Sequence, residues 1–197
     1  DTVLDVGCAA GAFVLFGSEM ARFTVGVDIS GKQLQLAQER MRTQNTTNAL
    51  FIQGNVEQMP FPDGSFSRML CKSSFHHFGN FQVVFDEMSR CCTPGGLICI
   101  TDLTTYDLPH ITMLIDEIDR LIDVSHHRRL STEEINRLYL DKGMEVLEAR
   151  ITESNHSIRE YQSHAIQTPE NGVKITELIK KALVRPDMQP YIFIENR

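Results

Sequence analysis

Short apolar runs alternate with segments of helical periodicity along the first hundred residues of the chain. The runs are almost continuously apolar, which is typical of strands covered on both faces of a sheet. They predict strands at 2–6, 23–30, 49–55, 67–74 and 97–103, helices at 12–21, 30–44 and 80–92, and a turn at 93–96. Because parallel neighbours need helical crossovers, this alternation predicts a parallel sheet with helices on both faces.

The second half of the chain has a less regular pattern. Helical spacing predicts a helix at 108–124, and a serine cap with an acidic first turn and a glycine stop predicts another at 130–143. A sixth strand is predicted at 144–152, a helix at 173–184 and a last strand at 191–196. The whole pattern therefore predicts an α/β fold with seven strands.

Length and composition indicate how many domains the chain has and which partners it disfavours. The 197 residues fit one domain. We expect a single domain over 1–197, with a helix missing before Asp1 and with 104–130 forming a lid or insert. A net charge of −7 without a long Lys/Arg run argues against a nucleic-acid partner. No apolar stretch is long enough to span a membrane.

Five cysteines, an odd number without a Cys-x-x-Cys pair, argue against a disulfide framework and a structural zinc site. We therefore expect a reduced, cytoplasmic protein without a bound metal.

A glycine turn follows the first predicted strand in the segment VLDVGCAAGAF, 3–13. In a parallel sheet such a turn lies at the edge where ligands bind. The dinucleotide fingerprint would place glycines at 7, 9 and 12, but Ala9 and Ala12 occupy two of these positions. A methyl group at Ala9 hinders the approach of a pyrophosphate. The turn therefore disfavours NAD, and a strand-to-helix turn without a ligand stays an alternative.

An acidic residue, Asp28, ends the second predicted strand about 20 residues after Gly7. At that place a carboxylate can accept hydrogen bonds from both hydroxyls of a ribose. The alternative is that Asp28 caps the following helix. Because Ser30 and Gly31 already supply capping chemistry, we favour the ribose contact.

Three motifs in the first 103 residues carry a family resemblance. The spacing Asp5-x-Gly7-x-Ala9-x-Gly11 resembles the first motif of the class I S-adenosylmethionine-dependent methyltransferases, with Ala9 in place of a glycine. The segment GNVEQMPFPDGSFSRMLCKSSFHHF, 54–78, resembles the small-molecule branch that includes the C-methyltransferases of quinone biosynthesis. The segment EMSRCCTPGGLICITDL, 87–103, resembles a third, structural motif, in which Pro94-Gly95 fits a turn with a positive φ at the glycine. The resemblance implies a Rossmann-like doubly wound sheet, mostly parallel with an antiparallel last strand, and S-adenosylmethionine as cofactor.

The same resemblance implies a set of residues that would bind this cofactor. Backbone N–H groups of the glycine turn and of the helix after it would hold the carboxylate of the methionine part, and Asp5 its ammonium group. Ile29 would lie against the adenine, Asn55 would accept from its amino group, and Val56 would donate its backbone N–H. The full set is Asp5, Gly7, Cys8, Ala9, Gly11, Asp28, Ile29, Asn55, Val56, Lys72 and Ser73. Asn55 and Lys72 depart from the usual aspartate and small residue.

Two histidines, His76 and His77, follow the fourth predicted strand, beside the expected position of the methyl group. One of them is a candidate base or orients the acceptor. The alternative is a packed histidine that shapes the loop.

A second group of cations, His126, His127, Arg128 and Arg129, lies in a predicted loop. It would bind an anionic acceptor, shape the pocket entrance, or form a solvated cationic loop. In the preceding helix an apolar stripe would line an acceptor pocket or belong to the core; it comprises Met113, Leu114, Ile118 and Leu121.

These observations together predict methyl transfer from S-adenosylmethionine to a small molecule by in-line displacement. The enzyme would hold the nucleophile and the methyl group in line in a dry pocket. The alternatives are a methyltransferase-like protein that binds the cofactor without catalysis, and an NAD-dependent oxidoreductase. The oligomeric state stays open.

Overall fold

The computed structural model describes residues 1–152 and 168–188. The strands are β1 (Thr2–Val6), β2 (Phe23–Asp28), β3 (Ala49–Gln53), β4 (Phe66–Lys72) and β5 (Cys92–Thr101). The helices are α1 (Ala12–Ser18), α2 (Gly31–Thr43), α3 (Phe81–Cys91), α4 (Pro109–Ile122), α5 (Thr132–Asp141) and α6 (Pro169–Leu183). Short 3₁₀ turns cover Phe75–His77 and Pro186–Met188.

The five strands form one sheet in the order β3-β2-β1-β4-β5, and every pair is parallel. This confirms the predicted parallel sheet. The chain runs from β1 to β2 and β3 on one side and returns to β4 and β5 on the other. Right-handed crossovers therefore place α1 and α2 on one face and α3 on the opposite face.

The central strand β1 is buried on both faces, as its apolar run predicted. Leu4 and Val6 on one face are fully buried, and Asp5 on the other face is 4% exposed. On the face that α1 and α2 cover, one core cluster contains Cys8, Val14, Leu15, Leu34, Ala37 and Phe51. Helix α3 buries the apolar side of its amphipathic pattern, namely Val84, Phe85, Met88 and Cys91. The core thus fixes the positions of the loops that leave the carboxyl ends of the strands.

The expectation of seven strands is wrong for the described residues, which contain five strands and no antiparallel one. The segment 144–152 forms no strand. Its apolar side chains are not covered by other described residues, since Leu147 and Ile151 are 69% and 70% exposed. The predicted last strand at 191–196 lies outside the described residues.

The predicted turn at 93–96 lies inside β5 rather than before it. Phe66 of β4 pairs with Cys92, and Arg68 pairs with Leu97, so the intervening segment bulges from the ladder. Gly95 adopts a φ of 74°. This positive φ was predicted from the Pro-Gly dipeptide.

The chain divides into two compact units. The first comprises Asp1–Leu103 and Arg137–Met144, and it contains the whole sheet. The second comprises Thr104–Asn136 and Glu145–Arg197. A single domain with a lid or insert at 104–130 stays a prediction. Among the described helices, none has the length and apolar character to cross a membrane.

In the second unit, α4 and α6 pack through a cluster of Ile118, Ile122 and Ile175, with Leu114 and Leu121 against it. Met113 is exposed instead. Three of the four residues of the apolar stripe predicted on α4 therefore serve core packing within this unit.

Candidate functional site

The carboxyl ends of the parallel strands lie at one edge of the sheet, and the chain reverses its direction of winding at β1. Such a point is where open α/β sheets bind ligands. Strands β1, β2, β4 and β5 end there next to Gly7, Asp28, Ser73 and Asp102. Most of the predicted site residues of the first unit therefore meet at this edge.

The glycine turn after β1 has a backbone that requires its glycines. Gly7 and Gly11 both have a φ of 74°. A Cβ on Gly7 would lie 2.7 Å from the Cβ of Ser74, and one on Gly11 would lie 2.5 Å from the ring of Phe51. Ala9 also has a positive φ, 44°, which an L-residue adopts at a cost of about 1–2 kcal/mol.

The Asp28 carboxylate ties this turn to the start of α2. Its Oδ2 accepts from the backbone N–H of Ala9 and its Oδ1 from that of Ser30, each at 2.8 Å. The hydroxyl of Ser30 caps α2 by accepting from Gln33. Each Asp28 oxygen has a second lone pair, so the carboxylate can accept two further hydrogen bonds at this edge.

Asp5 is buried at the end of β1, with 4% of its surface exposed. Burial, together with the charge of Asp28, raises its pKa from the usual 3.8 to about 7, although the charge of Lys72 acts in the opposite direction. A carboxyl group that ionises near neutral pH at a ligand-binding edge is typical of functional sites.

The turn after β4 packs on the glycine turn. The hydroxyl of Ser74 donates to the carbonyl oxygen of Gly7 at 2.8 Å. Ser73 has a φ of 52°. The Lys72 ammonium donates to the Ser73 hydroxyl at 3.3 Å and lies 4.9 Å from the centre of the Phe13 ring. Lys72 thus brings a positive charge to the edge at which Asp5 and Asp28 also lie.

The predicted adenine contacts follow β2 and β3. The Ile29 side chain is 72% exposed, and its carbonyl oxygen accepts from Gln53 at 3.1 Å. The Asn55 side-chain oxygen accepts from the backbone N–H of Glu57 at 3.0 Å, which leaves it one lone pair for another donor. Val56 is buried.

The side chain of Arg90, in α3, holds the loop at 59–63 in place, and we call this arrangement the Arg90 clamp. The guanidinium donates to the carbonyl oxygens of Phe61 and Met59 and to the carboxylates of Asp63 and Glu87. Glu87 also accepts from the backbone N–H of Met59 at 2.7 Å. The hydrogen bond from Arg90 keeps the pKa of Glu87 below its usual value, although burial opposes this. The third motif is therefore structural, as its sequence indicated.

His76 and His77 lie in the 3₁₀ turn that follows β4, with ring centres 4.0 Å apart. His76 is buried, and its Nδ1 lies 2.5 Å from the carboxylate of Asp102. Sequence reasoning missed Asp102. The sequence did contain a signal for it, because this acidic residue directly follows β5, in the same way that Asp28 ends β2.

The four cations of the second unit differ in exposure: His127 is exposed and Arg128 is half-buried, whereas the other two are buried. His126 and Arg129 are buried and contact acidic residues of α4. His126 Nε2 lies 2.9 Å from Asp116, and Arg129 Nη2 lies 2.8 Å from Asp119.

The acidic residues Asp116 and Asp119 were missed because their helix positions resembled a polar surface. With His126 they form a group of the kind that holds metal ions, and the Arg129 guanidinium already supplies a cation there. Arg128 pairs with Glu134 at 2.7 Å.

The fold and the edge together define a Rossmann-like α/β domain. A parallel sheet, a glycine turn after the central strand and an acid at the end of the next strand are its features.

The family is shown by comparison with known proteins. The sequence profile of the family described as "Methyltransferase domain" matches residues 1–178. The chain belongs to this family, that of the class I S-adenosylmethionine-dependent methyltransferases, which confirms the resemblance in its sequence.

Several relatives are similar over part of the chain. An uncharacterized methyltransferase, YcgJ of Bacillus subtilis (strain 168), is 29% identical over 137 residues, 70% of this chain and 54% of YcgJ. A fatty-acid O-methyltransferase of Mycolicibacterium smegmatis is 32% identical over 54% of this chain and 39% of its own length. A demethylmenaquinone methyltransferase of Listeria welshimeri is 27% identical over 54% of this chain and 47% of its own length.

The chain thus spans about half the length of the curated relatives it matches. The crystal structure of YcgJ superposes with a TM-score of 0.90 at 22% identity and covers 96% of this chain and 80% of YcgJ. This likeness confirms the Rossmann-like α/β fold.

Proposed function

We propose that the chain transfers a methyl group from S-adenosylmethionine to a small-molecule acceptor. The observation that carries this proposal is the Asp28 carboxylate, which joins the glycine turn to α2 and keeps acceptor capacity on both oxygens. When bound, the cofactor supplies a methyl group on a sulfonium, which needs little activation. The chain's task is then to position the acceptor and to exclude water.

The residues at the edge fit this cofactor. Asp28 would accept from the ribose hydroxyls, and the ionised Asp5 carboxylate would attract the ammonium group of the methionine part. The N–H groups of the glycine turn and of the start of α1 would hold its carboxylate. The cofactor contains no phosphate, so the Ala9 methyl group is tolerated. Gly7, Cys8, Gly11, Ile29, Asn55, Val56, Lys72 and Ser73 complete the proposed binding set.

A small-molecule acceptor is supported by the relatives and by charge. The names of two relatives give a fatty acid and demethylmenaquinone as their substrates. The chain has a net charge of −7, which disfavours a polyanionic nucleic acid. His76 or His77 contacts the acceptor in this proposal, because both follow the turn that packs on Gly7.

Calorimetry with S-adenosylmethionine, with its demethylated product and with NAD tests the cofactor. We expect binding of the first two and no heat with NAD. Asp28→Ala should lower the affinity at least tenfold, because two hydrogen bonds to the ribose are lost, at about 1 kcal/mol or more each. Asp107→Ala is the matched control, since Asp107 is an exposed acid. Equal affinities of Asp28→Ala and the parent protein would refute the proposed ribose contact.

A second assay separates an enzyme from a protein that only binds the cofactor. Cofactor labelled in its methyl group is incubated with fatty acids and with quinol precursors. Transfer of label to an extracted product supports the enzyme. Binding without transfer to any acceptor supports the non-catalytic alternative.

A further inference from the structure

The ammonium group of Lys72, the last residue of β4, has neutral neighbours at the sheet edge. It donates to the hydroxyl of Ser73 at 3.3 Å and lies 4.9 Å from the centre of the Phe13 ring. Within residues 1–152 and 168–188, Lys72 takes part in no ion pair. Lys72 is half-buried, so the protein holds a positive charge in place without supplying its counter-charge.

Asp5 lies on the same face of the sheet as Lys72 but does not balance this charge. It pairs in register with Leu70 of β4, and because side chains alternate along a strand, Leu70 and Lys72 share that face. The charge of Lys72 lowers the pKa of Asp5, yet burial and the charge of Asp28 keep that pKa at about 7. At neutral pH Asp5 is therefore only partly ionised, and Lys72 is left with a charge that a bound anion can neutralise.

The Lys72 ammonium and the Ser73 hydroxyl form a pair of adjacent hydrogen-bond donors. Only one of the three N–H groups of Lys72 is needed for its bond to Ser73, and the Ser73 oxygen accepts that bond, so its own hydrogen can be donated elsewhere. The turn that carries them is fixed, because the hydroxyl of Ser74 donates to the carbonyl oxygen of Gly7 at 2.8 Å. Two neighbouring donors, one of them charged, suit an anion with two neighbouring oxygens.

We infer that Lys72 and Ser73 form a carboxylate-binding subsite beside the glycine turn. This inference rests on the proposed function, under which the carboxylate can come from two sources. One is the methionine part of the cofactor, for which Lys72 would add the counter-charge that backbone N–H groups lack. The other is an acidic acceptor molecule.

The charges at the edge favour a carboxylate over a phosphate. A phosphate monoester carries between one and two negative charges at neutral pH, whereas a carboxylate carries one. One lysine balances one negative charge. The excess charge of a phosphate would face the carboxyl groups of Asp5 and Asp28, whose mutual repulsion already contributes to the raised pKa of Asp5.

Calorimetry with two ligands that differ in the carboxyl group tests the subsite and its first source. S-adenosylhomocysteine, the demethylated product, carries the carboxylate, and its carboxamide does not. Lys72→Met should lower the affinity for the acid about tenfold or more, because a charge-assisted hydrogen bond is lost, and that for the amide less than about threefold. At about pH 6.5 both ligands carry a charged ammonium group, so any effect of Lys72 on Asp5 alters both affinities alike.

Two further variants control this comparison. Lys72→Arg keeps a positive charge and should retain most of the preference for the acid over the amide. Lys180→Met removes an exposed lysine of α6 and should change neither affinity. Lys72→Gln, which also removes the charge, replaces Lys72→Met if the latter does not fold.

Octanoate and octanamide, titrated into the protein saturated with S-adenosylhomocysteine, test the second source. If the acceptor supplies the carboxylate, the parent protein should bind octanoate about tenfold or more tightly than octanamide, and Lys72→Met should remove this preference. In that case the losses for S-adenosylhomocysteine and its amide in the first titration are equal.

The inference is overturned if Lys72→Met affects the acid and the amide equally in both pairs of ligands, because Lys72 would then only support the turn. If S-adenosylhomocysteine does not bind the parent protein, the proposed function fails. The octanoate pair, titrated into the unloaded protein, then decides the subsite separately: a preference for octanoate that Lys72→Met removes supports it, and any other result overturns it.

Discussion

The buried carboxyl group of Asp5 should make the stability of this protein depend on pH in an unusual direction. In the folded state its pKa is about 7, against a usual value of 3.8. Between these values the folded state holds a proton that the unfolded state releases. The free energy of unfolding contributed by Asp5 therefore falls as pH rises through this window, and it is constant above about pH 7.

The magnitude follows from the pKa. From about pH 5 to pH 7 the loss is about 1.4 kcal/mol per pH unit, or about 3 kcal/mol in all. Asp5→Asn removes the ionisation while it keeps the shape of the side chain. The difference in unfolding free energy between Asp5→Asn and the parent protein should thus grow by about 3 kcal/mol from about pH 5 to about pH 8. Any cost of burying the amide is the same at both pH values and cancels.

Urea unfolding followed by far-ultraviolet circular dichroism measures this difference, and it suits a chain without tryptophan. Asp107→Asn controls for the loss of one negative charge, because Asp107 is exposed. Parallel curves for Asp5→Asn and the parent protein across this range would show that burial does not shift the Asp5 ionisation. That result would refute the reasoning from burial.

Two further substitutions test the packing of the glycine turn and the loop that Arg90 holds. Gly11→Ala should lower the free energy of unfolding by about 2–4 kcal/mol, because the new Cβ would lie 2.5 Å from the Phe51 ring at a positive φ. Gly79→Ala, with no atom within 4 Å of the new Cβ, is its control in urea unfolding, and similar losses would contradict the steric argument. Arg90→Met should cost about 2 kcal/mol and expose the loop at 59–63 to limited proteolysis, since it leaves Glu87 without its guanidinium partner. Arg42→Met changes an exposed arginine of α2 and should leave the cleavage pattern unchanged; the same pattern in Arg90→Met would argue against the clamp.

The strands and helices of the first 103 residues were predictable because the strands in this part of the chain pair with one another. Each of these strands pairs with a neighbouring strand of the sheet, and helices cover both faces of the sheet. Continuous apolar runs such as 2–6 and 23–28 therefore indicate strands that are buried on both faces. The segment 144–152 also has a strand-like pattern, yet it pairs with no strand in the described part of the chain, and Leu147 and Ile151 stay exposed. A strand pattern predicts a strand only where the sheet offers an edge to receive it.

The residues that sequence reasoning missed are those whose role depends on a partner far along the chain. Asp28 could be proposed as a site residue because the glycine turn precedes it at a known spacing. Asp102 follows its strand in the same way, but its partner, His76, lies 26 residues earlier. Asp116 and Asp119 occupy polar positions of an amphipathic helix, and only the fold of the following loop brings His126 and Arg129 onto them.

The two buried acids at the sheet edge show that burial alone does not determine ionisation. Burial is the largest influence on the pKa of both Asp5 and Asp102, and it raises both. At Asp102 a histidine and backbone N–H groups stabilise the anion, so the net shift is downward. At Asp5 the other influences are the charges of Asp28 and Lys72, with no hydrogen bond among them, so the pKa stays near 7.

Two carboxyl groups with opposite pKa shifts at one edge can perform different functions. The pKa of Asp102 is lowered, so its carboxylate is ionised at neutral pH and accepts hydrogen bonds from the turn that contains His76. Asp5 is protonated or ionised with nearly equal ease, so a cationic ligand group beside it should favour the anion. Affinity for S-adenosylmethionine should accordingly rise with pH up to about pH 7 in the parent protein and lose this dependence in Asp5→Asn. Calorimetry over that range measures it, and a pH dependence retained in Asp5→Asn would assign the effect to another group.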